Sequence, residues 1–192
     1  DTVVREVLNG GTNVQYHEGE RASRSAITAT DTLTVKAVRA AVRTLKRQNA
    51  ETIDGSFVGI IHPDVAFDLM SDPTWVEWHK YTDNDAMFTN EIGKIANVRF
   101  VETTDAKIFE DAGGAASAKF DIYSTLIIAK NAYGTTNIEG GGLELITKQK
   151  GSAGTADPLD QRSTVGWKAT KTAERLVEDY MVRIETACSY AA

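Results

Sequence analysis

One amphipathic segment constrains the fold of this chain more than any other, because it is the longest stretch with helical periodicity. It runs from Thr30 to Gln48, TDTLTVKAVRAAVRTLKRQ. Its apolar side chains recur at three- and four-residue spacing, which places them on one helix face. They are Val35, Val38, Ala41, Val42 and Leu45. Such a helix is a rod of roughly 28 Å, with Asp31 or Thr34 as its N-cap, and its apolar face needs a core.

A second stripe on the same helix is basic. It lies about 100° around the helix from the apolar face and consists of Lys36, Arg39, Arg43, Lys46 and Arg47. This stripe has three interpretations: a solvated face, a seam that pairs with acidic segments of a neighbouring copy, or a surface that binds phosphate in a salt-dependent way. Spacing by itself favours the solvated face.

Composition describes an ordinary globular chain: of its 192 residues, 42% are hydrophobic and 25% are charged. A net charge of −6 argues against a protein that binds nucleic acid with its whole surface, although a local basic stripe is compatible with it. No run of about 18 apolar residues occurs, so we expect no membrane partner. The start at Asp1, without an initiator Met or a signal-peptide pattern, indicates a trimmed or processed chain.

The predicted elements are mixed, without the regular βαβ alternation of a doubly wound sheet. Residues 1–30 contain a short helix, ended by Gly10-Gly11, and a polar loop, and we expect an arm with little core of its own. Prolines begin two further helices, at Pro63 and Pro73. The predicted strands are 12–16, 57–61, 98–103, 120–129, 143–147, 164–169 and 181–186. The fold class that follows is α+β.

Exposure can be predicted for several segments. The helix that begins at Pro63 should bury four side chains, which are Val65, Ala66, Leu69 and Met70. Segments 112–118 and 148–162 have the composition of surface loops. Trp75, Trp78 and Trp167 could form a platform for a sugar or a base, but buried aromatic anchors are commoner.

Few residues could carry chemistry. His62 and Asp64 are close enough in sequence to form an acid/base pair, but His62 precedes Pro63 at a strand-to-helix turn, where capping or packing explains it better. No cluster of His, Cys and carboxylates has metal-ligand spacing, and no phosphate-binding glycine loop or nucleophile elbow occurs. Cys188, the only cysteine, is predicted to be an inert thiol. We expect no enzyme, no cofactor and no metal.

Longer segments resemble one protein family. They are GSFVGIIHPDVAFDLMSDPTWVEWHKY, NEIGKIANVRFVETTDAKIF, YGTTNIEGGGLELITK and GSAGTADPLDQRSTVGWKATKTAERL. These segments are similar to the major capsid proteins of the coliphage N-four type. The order of elements also resembles the wider Hong Kong 97-type capsid fold. In that fold a spine helix precedes a strand that ends in Asn/His-Pro, and a Gly-x-x-x-x-Val strand follows, here Gly93 to Val98.

The resemblance implies a Hong Kong 97-like architecture with three parts. Residues 1–30 would be an extended loop, or its remnant, that reaches onto a neighbour. Residues 31–54 and 162–192 would form a peripheral domain with the spine helix and long strands. Residues 55–161 would form an axial domain whose loops meet around five-fold and six-fold axes. Family members carry more chain before this point, so the resemblance implies that an N-terminal arm is missing or removed.

The implied function is that of a structural subunit of a tailed-phage or prophage icosahedral capsid. It would self-assemble through pentamer and hexamer contacts in the bacterial host cytoplasm and enclose double-stranded DNA in the virion. Its partners would be copies of itself, packaged DNA through non-specific contacts, and scaffold or decoration proteins. The basic stripe would face an acidic neighbour or packaged DNA. The alternatives are an encapsulin-like shell that encloses cargo enzymes and, from another class, a small hydrolase that uses His62 and Asp64.

Overall fold

The computed structural model describes residues 2–79, 93–114, 119–136, 142–152, 159 and 161–190. Its helices are α1 Thr2–Asn9, α2 Val35–Arg47, α3 Pro63–Ser71 and α4 Pro73–His79. Its strands are β1 Val14–Tyr16, β2 Phe57–Ile61, β3 Lys94–Ile95, β4 Val98–Glu102, β5 Ile108–Gly113, β6 Phe120–Ile128, β7 Tyr133–Thr135, β8 Glu144–Lys148, β9 Thr164–Lys168, β10 Ala173–Arg175 and β11 Met181–Thr186. The chain is α+β, as predicted.

Two compact units make up the chain. The main unit comprises Asp1–Gly134 and Arg175–Ala192, and the hairpin unit comprises Thr135–Glu174. The short strands β7 and β10 pair with each other. In the main unit the described strands form one sheet in the order β1-β11-β6-β2-β4-β3, and β5 also pairs with β6.

Strand β6 lies in the middle of this sheet and is covered on both faces. It pairs antiparallel with β11 and with β2. Ile127 packs into a cluster with the apolar face of α2, whereas its neighbours Leu126 and Ile128 pack into another cluster with Leu8 of α1. Because alternate side chains point to opposite faces, a strand covered on both faces reads as the continuous apolar run seen in β6.

Helix α2 buries the apolar face that its periodicity predicts, but it begins later than predicted. Thr34 is the N-cap, and its Oγ1 accepts the N–H of Ala37 at 3.2 Å. Asp72 Oδ2 accepts the N–H of Val35 at 2.9 Å. Asp31, the other predicted cap, instead accepts two hydrogen bonds from the Arg21 guanidinium. The helix is therefore about 20 Å long, at 1.5 Å per residue.

The C-terminus of α2 is closed by a left-handed residue. Asn49 has a φ of 54°, and its N–H donates to the carbonyl of Lys46 at 3.2 Å. The next N–H, of Ala50, reaches back to the carbonyl of Leu45 at 3.1 Å. These two bonds form a Schellman motif, in which Asn takes the place that Gly usually holds. The helix ends here, several residues before Gly55.

The prediction that residues 1–30 have little core of their own is wrong. Leu8 and Ile27 are fully buried, and β1 pairs in parallel with β11. Leu8 and Ile27 each enter a cluster formed with other elements, and the local sequence of residues 1–30 does not show those partners. Residues 1–30 are therefore packed onto the main sheet by a few buried side chains and by the pairing of β1 with β11.

Most predicted strands are confirmed, but one side chain predicted to be buried and one predicted loop differ from the structure. Met70 is 41% exposed, so the prediction that it is buried is wrong, although the other three side chains predicted on that helix face are buried. Strand β5 was not predicted, and it includes Ala112 and Gly113 of the predicted 112–118 loop. A Cβ at Gly113 would lie 2.4 Å from the Phe120 ring, so glycine there permits close packing rather than mobility. Residues 115–118 of that loop lie outside the described residues.

In the hairpin unit, β8 and β9 form an antiparallel pair in which every residue is exposed. Trp75 is buried, as expected of an aromatic anchor, but Trp167 is 73% exposed. The side chain of Trp78 lies outside the described part of the chain. The described residues of the predicted 148–162 loop are exposed, and residues 153–158 and 160 are not described.

The predicted division into domains cuts through the main sheet. Strands β2 and β6 belong to the predicted axial domain, whereas their sheet partner β11 belongs to the predicted peripheral domain. The assignment of an arm, a peripheral domain and an axial domain stays a prediction.

Candidate functional site

Most of the predicted basic stripe lines one groove on the main unit. The groove has a volume of about 490 Å³ and lies between the C-terminal half of α2 and the turn that joins β3 to β4. We call it the basic groove, and its lining residues are Arg39, Val42, Arg43, Lys46, Arg47, Ala96 and Asn97. All four of its cations belong to the predicted stripe.

One wall of the basic groove is a tight turn held in place by its own backbone. Ala96 and Asn97 have φ angles of 51° and 68°, the pattern of a two-residue type I′ hairpin turn. The carbonyl of Asn97 accepts the N–H of Phe57 at 2.9 Å, which ties the turn to the start of β2. The Schellman motif fixes the other wall, because it ends α2 directly after Arg47. The groove is therefore built on ordered elements.

Within the described residues, the four cations of the groove form no ion pair, and all four side chains are exposed. Lys36, the fifth member of the predicted stripe, differs from them. It contacts the carboxylates of Glu18 and Glu20, the latter at 3.1 Å, and the hydrogen bond with Glu18 raises the pKa of Lys36. One cation of the predicted stripe is thus neutralised, whereas the other four have no described counter-charge.

A buried ionic network that was not predicted joins the N-terminal segment to β11. Glu185 is fully buried and accepts two hydrogen bonds from Arg24, at 2.6 and 2.7 Å, and one from Arg183 at 2.8 Å. The hydrogen bonds with Glu185 raise the pKa of Arg24. The Arg24 guanidinium also stacks 3.6 Å from the centre of the Phe109 ring, a cation–π contact. Every charge in this network has a partner, so its role is structural.

His62 and Asp64 are arranged as a helix cap. The Nδ1 atom of His62 accepts the N–H of Asp64 at 3.3 Å at the start of α3, and the imidazole packs 5.1 Å from the ring of Tyr123. The Tyr123 hydroxyl donates to Asp64 Oδ2 at 3.1 Å. Burial, followed by this hydrogen bond, raises the pKa of Tyr123 to about 12. The interpretation of His62 as a cap that also packs is confirmed.

The remaining candidates for chemistry are limited. Cys188 is buried, and its burial raises the thiol pKa to about 11, which agrees with the predicted inert thiol. No group of His, Cys, Asp or Glu within the described ranges could hold a metal ion. A second cleft of about 210 Å³, mostly apolar, lies beneath α1. None of the helices described is long and apolar enough to cross a membrane.

Comparison with known proteins identifies the family. The phage capsid protein family matches residues 1–149. This chain belongs to the phage capsid protein family. That membership makes it a structural protein rather than an enzyme, so the hydrolase alternative based on His62 and Asp64 is not supported. A comparison with curated proteins found no match.

Solved capsid structures share the fold of this capsid-family chain. The capsid of Ralstonia phage GP4 has 17% identity and a TM-score of 0.63, and the alignment covers 92% of this chain and 52% of that one. The capsid asymmetric unit of cyanophage Pam1 has 16% identity and a TM-score of 0.69, with coverage of 93% and 55%. This chain therefore spans about half the length of these capsid chains. Identities this low show the Hong Kong 97-type fold alone.

An encapsulin also shares the fold, with a lower sequence identity and a lower TM-score than these two capsids. The holo-SrpI encapsulin complex from Synechococcus elongatus PCC 7942 has 7% identity and a TM-score of 0.55, with coverage of 96% of this chain and 57% of that one. The family match names phage capsid proteins, so the encapsulin alternative rests on the fold alone.

Proposed function

We propose that this chain is a structural subunit of a tailed-phage or prophage icosahedral capsid, of the coliphage N-four type. It self-assembles through pentamer and hexamer contacts in the cytoplasm of the bacterial host, and the finished shell encloses double-stranded DNA. The match of residues 1–149 to the phage capsid protein family carries this proposal. In this assignment residues 31–54 and 162–192 are the peripheral domain, 55–161 the axial domain and 1–30 the extended loop.

A shell subunit needs surfaces that become buried when copies meet, rather than an active site. Many weak and repeated contacts add up through multivalency, so no single contact has to be large. Scaffold or decoration proteins are further partners of such a shell. Two surfaces of this chain suit contacts of this kind: the basic groove of the main unit and the exposed strands of the hairpin unit.

We assign the basic groove to an anionic partner, either an acidic segment of a neighbouring copy or packaged DNA. Four cations without a described counter-charge repel one another, and an anion relieves that repulsion. The groove accommodates Arg39 and Arg43 on successive turns of α2, and a guanidinium can bind a carboxylate or a phosphate through two hydrogen bonds. A contact with DNA would weaken as salt concentration rises, because binding releases counterions.

The test compares the unchanged chain with a groove variant and a control. The groove variant carries Arg39→Gln, Arg43→Gln, Lys46→Gln and Arg47→Gln. The control is Lys36→Gln, which removes a cation that already has acidic partners outside the groove. Light scattering over a range of protein concentrations and negative-stain microscopy measure assembly, and binding of double-stranded DNA is measured against salt.

We expect the control to match the unchanged chain in both measurements and the groove variant to differ from them. If the groove binds DNA, each lost contact reduces the slope of log affinity against log salt by about 0.9, with assembly retained. If it binds a neighbour, assembly itself weakens. A groove variant that matches the control in both measurements would show the groove assignment to be wrong. Monomers under every salt and crowding condition, both of this chain and of a version extended to the length of its capsid relatives, would contradict the capsid proposal.

A further inference from the structure

The hairpin unit has one apolar face that no described residue covers. Because residues opposite each other in an antiparallel pair share a face, Leu145 lies beside Trp167, and Val165 lies two residues further along the same face. The exposed fractions are 69% for Leu145, 72% for Val165 and 73% for Trp167. Leu143, directly before β8, is 78% exposed. We call these four residues the apolar hairpin face.

The opposite face of the same hairpin is suited to water. It carries Glu144 and Lys168, which form an ion pair at 2.8 Å, together with Lys148 and Thr164 at the other end of the pair. Ile146 is the large apolar residue of this face and is the least exposed of the hairpin's apolar side chains, at 37%. The hairpin is therefore amphipathic, in the alternating pattern of a strand pair that covers something on one side.

Physical considerations favour a partner for the apolar face. A two-stranded hairpin is marginally stable in water unless it packs against a further element. The four side chains expose on the order of 400 Å² of apolar surface, which equals the largest patch on a typical monomer, and such patches often mark interaction sites. This area is about half of what one partner buries in a standard protein interface, so it suits a weak contact that is repeated many times.

We infer that the apolar hairpin face is a contact surface for a second copy of this chain. The inference rests on the proposed function, since the partner available in every position of a capsid is another copy. Trp167 is its central residue, because a large aromatic ring beside leucine side chains is the kind of anchor that dominates interface energies. Unlike a contact through the basic groove, this one is apolar and should persist at high salt.

Hydroxyl-radical footprinting tests the contact directly. Trypsin cuts after Arg162 and Lys168, so the fragment 163–168 contains Trp167 and no other tryptophan. Oxidation of this fragment is measured for the unchanged chain at low concentration, where it is dissociated, and at high concentration, where it is assembled. We expect oxidation of Trp167 to fall severalfold on assembly, at both low and high salt.

Matched variants compare how much each face of the hairpin contributes to association. We expect Trp167→Ala and Leu145→Ala each to weaken association by about tenfold, equivalent to about 1.4 kcal/mol. The control is Ile146→Ala, an apolar truncation on the opposite face of the same strand, which should leave association unchanged. Circular dichroism of each variant at low concentration verifies that the main unit stays folded.

The outcomes distinguish this inference from the proposed function. If shells form while Trp167 is oxidised equally in both states, the contact is wrong and the capsid proposal stands. Protection of Trp167 that does not depend on concentration would mean that the face packs within its own chain, which also overturns the contact. If neither this chain nor a version extended to the length of its capsid relatives associates at any concentration, both proposals are contradicted.

Discussion

Strands β6 and β8 differ in their surroundings more than in their residues. Both contain adjacent large aliphatic side chains, LII in β6 and LI in β8, and both pair antiparallel with a later strand. The segment 122–128 of β6 is entirely buried, whereas every residue of β8 is exposed. Helices α1 and α2 supply the difference, because they cover the two faces of the main sheet. Local sequence therefore sets strand formation, and distant elements set burial.

Charged side chains show the same contrast between the two units. In the main unit, Glu185 is fully buried and its hydrogen bonds come from Arg24 and Arg183. In the hairpin unit, Glu144 and Lys168 form an ion pair of similar length, but more than half of each side chain is exposed. Water screens the second pair and competes with it, whereas it has little access to the first. The two ion pairs have similar lengths, but we expect them to contribute very different free energies to folding.

The largest effect is expected at Glu185. Glu185→Gln removes the negative charge that Arg24 and the nearly buried Arg183 share, and leaves those cations without compensation. Breaking a buried ionic group in this way costs about 3–5 kcal/mol. Urea denaturation followed by circular dichroism measures the free energy of unfolding.

The matched substitution in the hairpin unit is Glu144→Gln. Because the pair with Lys168 is exposed, we expect a change of less than about 1 kcal/mol. If both substitutions changed the free energy of unfolding equally, burial would not explain the contrast between the two ionic pairs.

Packing of glycines gives a second, smaller test. A Cβ at Gly59 of β2 would lie 2.7 Å from the ring of Phe100, which is fully buried and has no room to move. Gly59→Ala should therefore destabilise the chain by about 1–3 kcal/mol, the usual cost of overpacking. Thermal and urea unfolding measure this change.

Gly166 of β9 provides the control, since a Cβ there would have no atom within 4 Å. Gly166→Ala should alter the free energy of unfolding by no more than about 0.5 kcal/mol. A large loss at this position in the dissociated chain would mean that the hairpin packs against something within its own chain, contrary to the exposure of its strands.

Sequence periodicity predicted the elements whose apolar pattern is visible in their own residues. It failed where side chains far away along the chain determine the structure. The apolar face of α2 and the run in β6 follow from residue spacing alone. The start of α2 does not, because Asp31 is recruited by Arg21 and leaves the capping position to Thr34. Likewise, Leu8 is buried only because β6 and β11 lie beneath it.

The candidate site was predictable in composition but not in shape. The predicted basic stripe includes all four cations of the basic groove. Lys36 differs from them because it pairs with Glu18 and Glu20, which lie well before the helix in sequence. The opposite wall depends on the positive φ angles of Ala96 and Asn97. A Glu at position 185 within an apolar strand was a signal for the buried network, but its partner Arg24 is more than 150 residues away.

A further effect is expected at Asp31, and it depends on pH. Burial raises the pKa of this carboxyl, but hydrogen bonds from Arg21 and Thr28 outweigh it and lower the pKa from 3.8 to about 2. A lowered pKa in the folded state stabilises the fold above the unfolded value, and this stability is lost as pH falls from about 4 to about 2. Asp31→Asn should therefore be less stable than the unchanged chain at pH 6, with a difference that shrinks steadily below pH 4. Urea titrations at several pH values measure this difference, and Glu144→Gln serves as the reference from the exposed pair. Because Arg21 is itself partly exposed, the effect should be smaller than that at Glu185. A difference for Asp31→Asn that stayed constant from pH 6 to pH 2 would mean that the carboxylate stabilises the fold through its shape rather than its charge.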